Sequence, residues 1–210
     1  MREYINEMKE KVFERKQELL DAALEEFTKN SYENASLNDI IKNAGISKGT
    51  FYYHFQDKQA LYLFLLESSV DVKMKFINEK MSGIAADYEK MNIFEAFGAQ
   101  ARIGAKFAAE HSEYQKLSAM FLKEKGKEIY EIAKTGLSDT TEKFIEVMVK
   151  KAAADGDFRE GFSEDFILKT VSYLFIHFDE IYSEEKDREL EEVLRNLDDF
   201  VDFLKNGLGR

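Results

Sequence analysis

The chain has 210 residues, 44% of them hydrophobic and 34% charged, with a net charge of −11, no cysteine and no proline. That balance is globular rather than disordered and allows one large or two smaller domains. The missing cysteines exclude disulfides, thiolate metal sites and cysteine nucleophiles. No apolar run approaches the ~18 residues of a membrane span, and Met1 to Tyr4 lead into alternating charges without an apolar signal region. A cytoplasmic protein with no membrane partner is therefore expected.

The absence of proline suits a chain that is nearly all helix. The first helix is predicted over 14–29, where Leu20, Ala23, Leu24 and Phe27 recur at i, i+3, i+4 and i+7. Ser36 then caps a short second helix, with Asp39 three residues on as a capping-box variant and Leu37, Ile40, Ile41 and Ala44 on its apolar face. Gly45 ends that helix as a residue able to turn left-handed. Ser47 caps a third helix, and Ile46 and Phe51 are placed as a hydrophobic staple. Asp57 caps a long fourth helix. Beyond Gly83, helical patterns cover roughly 91–110, 113–134, 139–154, 163–183 and 186–206, with Asp155-Gly156-Asp157-Phe158 as the clearest turn.

Two short capped helices joined by a glycine-containing turn, within Ser36 to Lys58, carry the signature of a helix-turn-helix. Phe51 and Phe55, at i and i+4, must face the core. Tyr52, Tyr53 and His54 then face outward with Lys48 and Thr50, an aromatic density that plain solvated surface does not explain. DNA contact does explain it. Gly49 lets backbone approach a duplex, Thr50 offers a methyl and a hydroxyl to base edges, and tyrosine hydroxyls and His54 can donate to phosphates. Lys58 opposes the dipole of the helix it begins, a conflict that a phosphate in front of it would remove. The acidic net charge does not argue against this, because residues 42–58 hold Lys42, Lys48 and Lys58 against Asp57 alone, three minus one, or +2.

The run Ala44-Gly45-Ile46-Ser47-Lys48-Gly49-Thr50-Phe51-Tyr52-Tyr53-His54-Phe55, with Ala23 and Phe27 before it and Lys58 and Leu61 after it, resembles the DNA-binding domain of the tetracycline-repressor (TetR) family. The resemblance covers roughly residues 14–66. It implies DNA contacts at Ser36, Lys48, Gly49, Thr50, Tyr52, Tyr53, His54 and Lys58. It also implies an all-α fold, with a helix-turn-helix domain over 1–56 and a larger helical ligand-binding and dimerisation domain over 57–210. There are two departures. Ser31 stands where the family commonly has glycine, so Ser31 or Asn30 must absorb any positive φ, and Ile41 stands where alanine is frequent.

Members of the family bind inducers between their middle helices and dimerise through their last two long ones. The aromatic and methionine stripe offers Phe94, Phe97, Phe107, Phe121, Phe144, Met148 and Tyr173 as ligand-binding candidates, although such stripes are more often plain core. The last two helices offer Leu174, Phe175, Phe178, Leu197, Val201 and Leu204 as a dimer seam, the alternative being core within one subunit. His54, His111 and His177 have no metal-ligand spacing, and no glycine-rich phosphate loop follows a strand, so neither an enzyme nor a cofactor is expected. The expected partners are palindromic operator DNA, a second copy of the chain and a small-molecule effector. A DNA-binding regulator or architectural protein that senses nothing is the competing reading.

Overall fold

The computed structural model describes residues 14–137, 140–178 and 190–209, with side chains for all of these except 135–144 and Ile176. The described residues are helical: α1 Lys16–Lys29, α2 Leu37–Asn43, α3 Lys48–His54, α4 Lys58–Ser82, α5 Ala85–Tyr88, α6 Ile93–Glu110, α7 Ser112–Lys123, α8 Glu128–Leu137, α9 Thr140–Asp155, α10 Glu164–Ile176 and α11 Leu190–Leu208. Among them an isolated antiparallel bridge, Phe158 to Gly209, takes the place of any sheet. None of these helices is long and apolar enough to cross a membrane. The fold is all-α, as the sequence implies. The chain divides into two compact units, one formed by residues up to Met74 with His111–Ser138, the other by Lys75–Glu110 with Asp139–Arg210.

The first unit closes around Leu19, Ala23 and Phe27 of α1, Ile40 and Ile41 of α2, and Phe51 of α3 with Phe55 just after it. Leu61 to Leu66 of α4, Leu117 of α7 and Ile129 and Ala133 of α8 complete that core. Each such apolar side chain contributes roughly 1.5–3 kcal/mol on burial. Ile41, larger than the alanine frequent in the family, is simply part of the core. α1 begins at Lys16 rather than Glu14, because Arg15 takes a left-handed conformation at φ 62°. Asn30 is extended at φ −122°, and Arg15 is the only non-glycine residue with positive φ among those described. The loop after α1 therefore needs no left-handed residue at Asn30 or Ser31, contrary to the expectation. The helix predicted over 113–134 is two helices. Gly126, at φ 87°, turns the chain between them, and the Lys127 amide donates to the Glu124 carbonyl at 2.9 Å.

The second unit is built on α6, α9, α10 and α11. Phe97 stacks on Phe175 with ring centroids 3.8 Å apart and meets Phe178 and Phe200 at 6.1 and 5.9 Å. Ion pairs Arg102–Asp198 and Lys205–Glu95 tie α6 to α11. Residues of the expected dimer seam contribute to this core. Phe175, Phe178, Leu197 and Leu204 are buried within their own chain, and Leu174 and Val201 pack against the same cluster. A stripe at helical spacing marks a buried face without saying whose core buries it, and here the subunit's own core does. The parts of the predicted last helices that fall within 179–189 lie outside the described residues.

Candidate nucleic-acid interface

The Ser36 hydroxyl accepts from the Asp39 amide at 3.2 Å and starts α2. The Ser47 hydroxyl accepts from the Thr50 amide at 3.0 Å and bonds the Thr50 hydroxyl at 2.9 Å, which starts α3. Between the two helices Gly45 sits at φ 65°, and a Cβ there would also run into the Arg15 guanidinium, which donates to the Gly45 carbonyl at 3.0 Å. Phe51 and Phe55 are fully buried, with ring centroids 5.8 Å apart. Those two rings fix the rotation of α3 about its axis. Lys48 and Gly49 are consequently exposed, as are Tyr52 at 56% and Tyr53 at 82%, while Thr50, His54 and Ser36 are half-buried. The His54 ring lies edge-on to Tyr53 at 4.9 Å. Seven of the eight residues named from the sequence thus lie on α3 or at the start of α2 with at least part of their surface open.

Lys58 is the eighth, and the structure gives it a different task. Its ammonium donates to the carbonyls of Tyr32, Glu33 and Ala35 at 2.6, 3.2 and 2.9 Å and lies 4.7 Å from the centre of the Tyr32 ring. Three carbonyls thus take its three donors, and they resolve the conflict with the helix dipole that a phosphate was expected to resolve. Burial lowers the pKa of this ammonium, while Glu26 and Glu33 pull it up.

Two carboxylates missed in the sequence hold the same loop. Glu26 accepts from the Ser36 amide at 2.8 Å and the Asn30 side-chain amide at 3.0 Å, which binds the start of α2 to α1. Glu124, at the end of α7 and 1% exposed, accepts from the Tyr32 amide at 2.9 Å and pairs with Lys127 at 2.7 Å. Burial raises its pKa, but the bonds from Lys127 and the Tyr32 amide outweigh it and hold the carboxyl below the usual range. Beside this loop Phe27, Tyr32 and Tyr62 pack ring against ring, at 4.7 Å for Phe27–Tyr62 and 5.0 Å for Tyr32–Tyr62. Burial raises both tyrosine hydroxyls' pKa.

The ligand-binding candidates fall in both units. Phe94 meets Phe158 and Phe97 meets Phe175 in the core of the second unit, and Phe107 packs separately on Phe76. Phe121 stacks on Tyr130 in the first unit at 4.9 Å. Met148 is partly buried, Tyr173 is exposed, and the Phe144 side chain lies outside the described residues. A cavity of ≈ 320 Å³ beside the turn after α9 is lined by other residues, Phe158, Arg159 and Phe162 among them.

With this geometry in place, comparison with known proteins is decisive. Residues 19–64 match the family described as bacterial regulatory proteins, tetR family. Over this segment, which holds the helix-turn-helix, the chain is similar to the tetR family. The HTH-type transcriptional regulator UidR of Escherichia coli (strain K12) is 32% identical over 130 residues, which is 60% of this chain and 65% of that relative. The chain thus spans less than two thirds of this relative's length. A TetR family transcriptional regulator from Chloroflexus aurantiacus has the same fold, with a TM-score of 0.65, 20% identity and 98% of each chain covered. A transcriptional regulator from Saccharomonospora viridis, solved in complex with choline, gives a TM-score of 0.64 at 15% identity, covering 92% of this chain and 97% of that one. The matched segment holds most of α1 and all of α2 and α3, so it includes every exposed residue of the α3 face.

Proposed function

We propose that the protein is a sequence-specific DNA-binding transcriptional regulator that acts as a homodimer on a palindromic operator. In this reading residues 1–56 read the DNA, and 57–210 carry effector binding and dimerisation, with the helices of 111–137 bracing the reading head. The observation that carries it is the outward face of α3. Lys48, Gly49, Thr50, Tyr52, Tyr53 and His54 project from a helix whose rotation is fixed by two fully buried phenylalanines. A major groove accepts such a helix, and the groove edge offers the donors, acceptors and methyl groups that threonine and tyrosine can meet. Lys48 and the tyrosine hydroxyls contact phosphates, and Thr50 reads bases.

Dimerisation rests on residues other than those first expected. Phe166 and Tyr173 on α10, one heptad apart, and Phe203 on α11 are large apolar side chains exposed on the two helices that family members use to dimerise. We assign these to contact with a second copy. The chain acts as a repressor released by an apolar or amphipathic small molecule, a reading supported by the likeness of residues 19–64 to the tetR family and by a structural neighbour solved in complex with choline.

Selection from a random-sequence duplex library by the full-length protein tests the assignment. A palindromic consensus whose two halves match the two-fold axis is expected, and the affinity for it falls steeply with salt. Thr50→Ala relaxes base preference at one position in each half-site, whereas Tyr52→Ala weakens binding to all sequences. Equal binding by wild type and both variants would sink the reading. For an effector, reciprocity applies: a compound that releases operator must bind less tightly, by the same factor, when operator is saturating.

A further inference from the structure

The loop between α1 and α2 is held by side chains from three directions. Glu26 of α1 takes the amide of Ser36, the residue that caps α2, at 2.8 Å. Lys58 of α4 takes the carbonyls of Tyr32, Glu33 and Ala35. Glu124, from the end of α7, takes the Tyr32 amide at 2.9 Å across 92 residues of sequence. Lys127 closes the arrangement, pairing with Glu124 at 2.7 Å and with Glu33 at 3.5 Å. Of these, Glu124 is the buried charge that comes from outside the segment matched by the family's DNA-binding model. A buried carboxylate is costly unless its bonds are made, so its oxygen specifies where the Tyr32 amide must be.

We propose that Glu124 is a positioning residue for DNA recognition. Through the Tyr32 amide it fixes the loop that sets the start of α2, and so links the state of α7 and α8 to the geometry of the reading head. This rests on the proposed DNA-binding function. When α7 holds Glu124 against Tyr32, the loop and the Ser36 cap are ordered before DNA arrives. When α7 withdraws the carboxylate, Tyr32 loses its acceptor and the loop must be ordered at the expense of DNA affinity. The apparent dissociation constant then rises as the inverse of the fraction of molecules whose head is in place.

The test uses the full-length protein and the duplex that wild type selects from the random library. Failure of wild type to select any sequence would refute the proposed function itself and is thereby distinguished from failure of this inference. Glu124→Ala removes the acceptor for Tyr32 and is expected to weaken binding per folded molecule by about tenfold, the ratio associated with one lost bond to a charged group. Glu124→Gln keeps an oxygen for the Tyr32 amide and is expected to stay within about threefold of wild type, since it loses the ion pair alone. Lys127→Ala leaves the buried carboxylate without its ion pair and is expected to weaken binding more than Glu124→Gln does. Hydrogen exchange gives a readout that general destabilisation would not: in Glu124→Ala the amides of 32–39 exchange faster, while those of α10 and α11 keep wild-type protection. Wild-type affinity in folded Glu124→Ala, a glutamine variant as weak as the alanine variant, or exchange raised uniformly over the chain would each overturn the assignment. Should Glu124→Ala fail to fold, Tyr32 exchange and affinity in Glu124→Gln decide it: a loss beyond threefold would overturn it.

Discussion

Phe203 offers the sharpest test of assembly. Its side chain is 72% exposed on α11, while Leu197, less than two turns earlier on the same helix, is 0% exposed. A phenylalanine presents about 200 Å² in an extended chain, so roughly 140 Å² remain for a partner to cover. At ~25 cal/mol per Å², full coverage is worth about 3.5 kcal/mol. In a two-fold dimer the residue is counted twice, so Phe203→Asp is expected to cost up to ~7 kcal/mol of association, or about 10⁵ in Kd. Sedimentation equilibrium over a dilution series, with circular dichroism as a check on folding, reads this directly. The expected result is a helical monomer at concentrations where wild type is a dimer. Leu197→Asp makes the contrast, because it places a charge in the subunit's own core and is expected to unfold the chain rather than yield folded monomers. A folded Phe203→Asp with the wild-type dissociation constant, or a folded monomeric Leu197→Asp, would refute the division of α11 into a core face and a partner face.

Other consequences concern the reading head. Gly45→Ala is expected to lower stability by at least ~1 kcal/mol, measured by urea denaturation, because a Cβ is strained at φ 65° and meets the Arg15 guanidinium. Lys58→Met should cost about 2 kcal/mol in the same measurement, by leaving the carbonyls of Tyr32, Glu33 and Ala35 without their donor, and it should change the salt slope of DNA binding little. Glu124 has a folded pKa below its unfolded value, so its stabilisation is complete above the ordinary carboxylate pKa of 4.5 and is lost as pH falls through the folded value. The stability difference between wild type and Glu124→Gln should therefore be constant at neutral pH and shrink below pH 4.5, as followed by thermal melts across that range.

What could be read from sequence follows the range of the interactions involved. Ser36, Ser47 and Asp57 act on amides three residues away, and Gly45 on its own backbone, so the helix-turn-helix was legible residue by residue. Phe51 and Phe55 disclosed the rotation of α3 because their spacing allows one common face. Lys58 was noticed for the right reason, a cation at the wrong end of a helix, but the carbonyls that answer it lie 23 to 26 residues away and only the fold brings them there. Glu124 looked like one more charge in a Lys-Glu-Lys run. The signal that would have found it was its register: Leu117, Phe121 and Glu124 fall at i, i+4 and i+7 along one stripe, which puts the carboxylate on the packed side of α7. The core face of α10 and α11 was not legible because both helices bear apolar residues on more than one face, and periodicity does not say which face its own subunit covers.

The contributions of Leu117, Ile129, Ala133 and Glu124 to the first unit bear on how this head can be transplanted. A chimaera joined at residue 56, with the head of one relative on the body of another, would keep every residue of α1 to α3 and yet lose the complementary surface beneath them. The head would inherit a foreign α7 and α8 and, with them, a foreign acceptor for the Tyr32 amide. Heads and bodies in such a protein are expected to diverge as matched pairs. Grafts that carry 111–137 along with the first 74 residues should retain operator preference where grafts cut at 56 do not.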